Sequence, residues 1–156
     1  MPDGFSQDPP SDTSVDTTFC NYKEPRKAKL TVSRDFAKGA GMSGEVVSTG
    51  LRQYGSDADA KESFDALVTT MNTCTSQDFE GETLTYSVIK VPTVGAGSIG
   101  IRIESGSSTI LQNFALVGPT LVNTGLGGIA NADSETVIGL LTVQVQKYSQ
   151  AATVPG

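Results

Sequence analysis

The chain has 156 residues, with 11 Lys or Arg against 17 Asp or Glu, a formal net charge of -6, and neither His nor Trp. The length suits one domain, able to bury roughly two thirds of its unfolded surface, while the missing imidazole excludes a Ser-His-Asp triad, a Cys-His pair, a His-ligated metal and a histidine pH switch. An acidic balance with 6% aromatic residues also excludes nucleic acid, which requires a cationic footprint and stacking rings.

Met1 to Thr18 carries Pro2, Pro9, Pro10, four aspartates and repeated Ser and Thr. It holds too little apolar surface to offset its ordering entropy, so residues 1–18 are expected to form a disordered tether. No apolar run is long enough to cross a bilayer. Such a polar lead is what remains when a signal or lipoprotein anchor is removed, and it equally fits a disordered terminus of a cytosolic protein.

Lys27 to Arg34 alternates as a short strand, with Leu30 and Val32 on one side. The Gly39 to Gly44 turn leads into a second strand, Glu45 to Tyr54, with Val47, Thr49 and Leu51 sharing a face and Gly50 marking a bulge. Ser56 to Cys74 is expected to be a helix. Ser56 or Asp57 can cap it, Asp57, Asp59 and Glu62 favour its positive end, and Ala60, Phe64, Leu67, Val68 and Met71 repeat at helical spacing. Cys74 extends that stripe toward the core.

A loop at Thr75 to Gly81 precedes three expected strands, Leu84 to Val91, Ser98 to Glu104 and Ile110 to Val122. Their β-branched content and period of two are antiparallel features, with Ile99, Ile101 and Ile103 on one face and Arg102 and Glu104 on the other. Gly106 with Ser107 and Ser108 reads as a hairpin turn, and Pro119 belongs at an edge or break. Asp133 to Ser149 fits a helix through Val137 or Ile138, Leu141, Val145 and Tyr148, although Val143, Val145 and Lys147 also alternate as a strand would. The expected order is β-β-α-β-β-β-α: an α+β domain over residues 19–150, an antiparallel sheet of about five strands with two helices covering one face. Residues 151–156 are expected to be a disordered tail.

Cys20 and Cys74 are the chain's two cysteines. They sit in no metal-ligand spacing, and without histidine they build no metal site. They read either as a disulfide closing a long loop or as two buried free thiols, and the polar lead favours the disulfide.

Other motifs have a plain structural reading beside the chemical one. Gly95-Ala-Gly97-Ser-Ile-Gly100 has the form of a dinucleotide fingerprint, but a strand pattern follows where pyrophosphate needs a helix N-terminus. A hairpin turn is expected there instead. Asp57, Asp59 and Glu62 lack the remaining positions of a calcium loop. The basic run Lys23 to Lys29 could meet an anionic surface, but Glu24 inside it favours a solvated strand edge. Thr124 to Asn131 is expected as a Gly-rich connection that serves backbone freedom or, if mobile, a ligand or partner. Glu45, Glu82, Glu104 and Glu135 form no working acid pair, and no Gly-x-Ser-x-Gly occurs. No catalytic residue, metal ligand or cofactor site is assigned.

The run from Glu45 to Cys74, where a strand passes through Arg52 and Tyr54 into a helix with Phe64 and Leu67 that ends in cysteine, resembles the actinobacterial extracellular sensor-domain family. That family includes the outer domain of mycobacterial serine/threonine kinase H and many surface lipoproteins. Gly97-Ser-Ile-Gly-Ile-Arg102, and Leu116-Val-Gly118 ahead of a C-terminal helix, match the same pattern, so the resemblance spans Phe19 to Ser149. The chain departs from the family in carrying Thr70-Met71-Asn72-Thr73 where a Trp commonly precedes the helical cysteine, and in having a single cysteine pair.

The resemblance implies a non-catalytic, extracytoplasmic sensor or ligand-binding domain, at the cell surface or secreted, and held by a lipid or transmembrane anchor outside this chain. Its ligand would be an unknown small molecule or envelope protein, bound by residues the sequence leaves unknown. An interaction or structural domain of the envelope, using a flat β surface or an edge strand, is the second reading. A hydrolase using carboxylates is the third.

Overall fold

The computed structural model describes residues 6–7, 20, 22–38, 45–106, 108–128 and 134–153. In chain order the elements are β1 (Ser6–Gln7), β2 (Leu30–Lys38), β3 (Glu45–Gln53), α1 (Asp57–Thr73), β4 (Ser76–Phe79), β5 (Glu82–Ile89), β6 (Gly97–Ser105), β7 (Ser108–Val117), β8 (Thr120–Gly128) and α2 (Ser134–Thr153). The strands form one antiparallel sheet in the order β1-β2-β3-β8-β7-β6-β5-β4. Of its eight strands β1 is a two-residue strip, leaving seven where about five were expected.

Turns supply the additional strands. The expected 75–81 loop contains β4, because Glu80 and Gly81 take φ of +49° and +85° and turn the chain from Phe79 directly onto Glu82. Positive φ at both central residues is the hairpin geometry that matches strand twist. The expected strand Ile110 to Val122 is likewise two strands, β7 and β8, folded back at Gly118 (φ +55°) and Pro119 so that Val117 faces Thr120. Pro119 has no N–H for a ladder, so it takes the turn. Thr124 to Gly128, expected in a loop, completes β8. Gly50 makes no bulge, since it stays in continuous register with Ser33 on one side and Asn123 on the other.

Both helices form where periodicity placed them. Ser56 caps α1 by accepting a hydrogen bond from the Asp59 amide (3.1 Å), and Ala60, Phe64, Leu67 and Met71 are buried. α2 buries Val137, Leu141 and Val145, which decides for helix in the ambiguous last element.

The helices lie on opposite faces of the sheet, not on one. Directly opposed residues in an antiparallel ladder share a face, and Ile103 opposes Ile110, Ile99 opposes Phe114, and Leu116 opposes both Gly97 and Leu121. This face packs on α1, where Tyr54, Tyr86, Ile99, Ile101, Ile103, Leu116 and Leu121 join Phe64, Leu67 and Met71 in one cluster. The alternate residues Val47, Leu111, Leu126, Ala115 and Val122 pack on Val137, Leu141 and Val145 of α2. β7 and β8 are central and pack on both sides, through Leu116 and Leu121 toward α1 and through Leu111, Ala115, Val122 and Leu126 toward α2.

Of the expected tether, Ser6 and Gln7 pair with Phe36 and Ala37 of β2, and the remainder of 1–18 lies outside the described residues. So do Gly39 to Gly44, residues 129–133 and residues 154–156, whereas Ala151 to Thr153 close α2.

Candidate functional site

A covalent strap borders the open part of the α1 face. Cys20 and Cys74 are disulfide-bonded, with Cα atoms 6.1 Å apart and 54 residues of separation. From Cys20 the chain returns along α1 to β2, and polar contacts fasten it on the way. The Cys20 amide donates to Gln77 Oε1 (3.1 Å), Tyr22 Oη donates to the Ser63 carbonyl (3.0 Å), and Arg26 Nε donates to Glu62 (2.7 Å). The Glu24 carboxylate accepts from Tyr54 Oη and from Arg52 (3.3 Å). The Lys29 amide then reaches the Gln53 carbonyl (2.7 Å), where β2 begins.

This Glu24–Arg52–Tyr54 group is largely shielded from water, with the Glu24 and Arg52 side chains 26% and 31% exposed. Burial, followed by the charge on Glu24, pushes the Tyr22 hydroxyl up to about 12, with Arg52 opposing. Burial and the hydrogen bond to Glu24 raise Tyr54 further. Both tyrosines therefore stay neutral donors under ordinary conditions.

Among the described residues, α1 leaves the sheet beside the strap uncovered. Register places Asp35, Ser48, Gly125 and Gln112 in one cross-strand row, and Ser33, Gly50, Asn123 and Phe114 in the next. Thr31, Arg52 and Leu121 follow on the strap side, and Ala37, Val46, Gly127 and Ile110 on the far side. The floor is half-buried for Ser33, Asp35, Ser48, Gln112, Phe114 and Asn123, while Val46 and Ile110 are exposed. A Cβ on Gly50 would come within 2.5 Å of Asn123 Oδ1, and one on Gly125 within 2.5 Å of Ser48 Oγ. The two glycines thus let the amide and the hydroxyl lie down along the sheet. The result is a shallow polar trough, walled by the strap, with an apolar ring at its α1 side.

Of the motifs weighed in the sequence, the Gly-rich stretch from Thr124 brings Gly125 and Gly127 to this floor, and the others lie elsewhere. Gly95, at φ +66°, turns the chain so that the Ala96 amide donates to the Leu116 carbonyl (2.8 Å), and β6 follows the glycines. A strand and not a helix follows them, so this is a turn without a phosphate cradle. Asp59 and Glu62 pair with Arg26 (3.6 and 2.7 Å), which uses the acidic helix start and part of the basic run to fasten the strap. Among the described residues no cluster of three acidic or cysteine side chains could hold a metal. Glu82 accepts from Ser105 and Glu104 pairs with Arg102, on opposite sheet faces; Glu45 begins β3 and Glu135 lies in the first turn of α2.

Sequence reading touched this floor at Gly50, Arg52 and the Gly-rich stretch holding Gly125 and Gly127, and named none of its polar groups Ser33, Asp35, Ser48, Gln112 or Asn123. Their signal was the polar phase of β2 and β3, Thr31-Ser33-Asp35 and Ser48-Gly50-Arg52, which looks like an ordinary solvent face until strand order places β3 inside the sheet.

No protein family and no curated protein matches the chain by sequence. Among solved structures it resembles the crystal structure of the extracellular domain of PknH from Mycobacterium tuberculosis, with a TM-score of 0.69 at 9% sequence identity, over 92% of this chain and 86% of that one. At that identity the likeness is one of fold, and it agrees with the sensor-domain resemblance read from the Glu45 to Cys74 run.

Proposed function

We propose that this chain is a non-catalytic extracytoplasmic domain that binds a ligand in the trough on the α1 face, as the receptor part of a surface lipoprotein or membrane-anchored protein. The observation that carries this reading is the trough itself. Central strands of a sheet are normally buried on both faces, and here β8 and β3 present hydroxyl, amide and glycine positions to a surface that no other described element covers. The strap makes one wall a fixed structure, because a disulfide holds it to the end of α1 and a shielded ion pair holds it to β3.

Two features support the compartment. A bridge such as Cys20–Cys74 persists in oxidising surroundings, and the fold is shared with an extracellular domain. No helix among the described residues is long and apolar enough to cross a membrane, so an anchor would belong to sequence outside this domain. A signal peptide with a lipid-attachment cysteine, or a membrane span, encoded next to this segment would support export. An adjoining cytosolic enzyme domain without a membrane span would refute it.

The binding test is a backbone-amide NMR spectrum of the isotopically labelled chain against a library of small polar compounds. Ligand-dependent shifts should cluster on Ser48, Gln112, Asn123 and Gly125. Shifts confined to β2 on addition of envelope proteins would instead favour an interaction domain. That second reading draws on the exposed Leu30 (54%) and Val32 (36%) on one face of β2, next to the outermost strip of the sheet.

A further inference from the structure

Resting on the reading of the trough as a binding site, we infer that its ligand is a neutral polyhydroxylated compound, a carbohydrate laid flat across β2, β3, β8 and β7. Charge is the first reason. The described floor holds no lysine, its arginine is paired with Glu24, and Asp35 is the one further ionisable side chain on it. An anionic ligand would find no free cation and would meet Asp35. A cationic ligand would find a single half-buried carboxylate at one end and neutral groups everywhere else.

Hydrogen-bond type is the second reason. Ser33 and Ser48 supply hydroxyls, while Gln112 and Asn123 supply amides that both donate and accept. None of these four side chains hydrogen-bonds to another described residue. A surface of paired donors and acceptors without net charge suits hydroxyl groups, which also do both.

Shape is the third reason. With adjacent strands about 4.8 Å apart, Ser33 and Asn123 stand roughly 10 Å apart with Gly50 between them. The Asn123 amide lies over Gly50, so a flat ring would rest on that amide, with its hydroxyl edge toward Ser33. Phe114 and the 39%-exposed Ile110 offer apolar surface on the β7 side, where the C–H face of a sugar loses no hydrogen bonds.

An extended peptide is the poorer occupant, because peptides bind sheets by pairing with an unused edge. The N–H and C=O groups of β3, β8 and β7 are already committed to ladders on both sides. A lipid chain would have to cover Ser33, Ser48, Gln112 and Asn123 without satisfying them, leaving each polar group desolvated and unpaired.

The test titrates the labelled full chain with soluble neutral oligosaccharides, one series each of mannose, galactose, arabinose and glucose polymers, while following backbone amides by NMR. A second series uses charged and zwitterionic small molecules and short peptides. Saturable shifts at Ser48, Gln112, Asn123 and Gly125 with at least one oligosaccharide series are expected. Asn123→Ala and Gln112→Ala should each weaken that affinity tenfold or more. Thr85→Ala and Ser87→Ala, on the opposite face of β5, should leave it within twofold, with unchanged melting curves showing that every variant folds. Trough shifts with the second series alone would overturn the carbohydrate assignment while keeping the trough as a binding site. No trough shift with either series would overturn both.

Discussion

Opening the Cys20–Cys74 bridge tests the strap in the most direct way. In the chain-entropy account, a cross-link spanning 54 residues removes about 14 cal/mol/K from the unfolded chain, or about 4 kcal/mol at 25 °C. No other fastening of the strap is of that size. Arg26–Glu62 is an exposed pair, with side chains 54% and 49% exposed, and solvent screening leaves such pairs little net stability. Glu24 with Arg52 and Tyr54 is better shielded, yet opening it without unfolding lets water solvate all its partners. The Cys20→Ala/Cys74→Ala variant should therefore lose about 3–4 kcal/mol in urea unfolding, because reduced-state structure erodes part of the ideal figure. In a domain of this length the melting midpoint should fall by about 6–16 °C. Near 37 °C the variant's strap amides should lose hydrogen-exchange protection before those of β6, β7 and β8. A loss below about 1 kcal/mol, with protection along Tyr22 to Ala28 retained, would refute this account of the strap.

Raising the pH should destabilise the domain through its buried tyrosines. Tyr22 moves from 10.0 to about 12 on folding, and Tyr54 and Tyr86 also shift upward. Between pH 10 and 12 the folded chain binds more protons than the unfolded one, so their contribution is complete below pH 10 and falls as pH rises through the folded values. Tyr22, Tyr54 and Tyr86 should ionise together with unfolding, monitored by tyrosinate absorbance, and ionisation of all three near pH 10 in a folded chain would contradict this. Asn113 is fully buried with neither amide atom hydrogen-bonded, so Asn113→Val should raise stability by about 1–3 kcal/mol in urea unfolding. A loss of stability would show that the amide is satisfied in solution, for instance by a buried water. Gly100→Ala should cost about 1–3 kcal/mol, because its Cβ would meet Ile89, Val91 and Asn113 at 2.6 to 2.7 Å. Gly50→Ala should instead move Asn123 off the floor at small cost in stability, and abolish trough shifts in the NMR titration.

Local chemistry in the chain was enough for the elements that depend on their own residues. Helix α1 has its cap, its charge and its stripe within one continuous segment. The isoleucines of β6 announce one buried face by alternation alone. The family resemblance also rested on such local runs, and the fold comparison agrees with it although sequence comparison finds no relative. Turns were less legible. Glu80-Gly81 and Gly118-Pro119 join strands only because particular backbone angles are taken there, and those angles are stabilised by ladders to partners elsewhere in the sheet.

The opening counts constrained what the protein can do and left open where it could do it. Absence of histidine excludes imidazole chemistry however the chain folds, since no packing can supply a missing side chain. Which face of β3 and β8 meets a helix, and which is left open, depends instead on contacts between residues as distant as Asp35 and Gln112 in the chain. Alternation tells that a strand has two faces but not what covers either one. Strand order put β8 between β3 and β7, α1 and α2 took opposite sides, and α1 reached only part of its own side. From that partial cover alone come the trough, its strap and the function proposed for them.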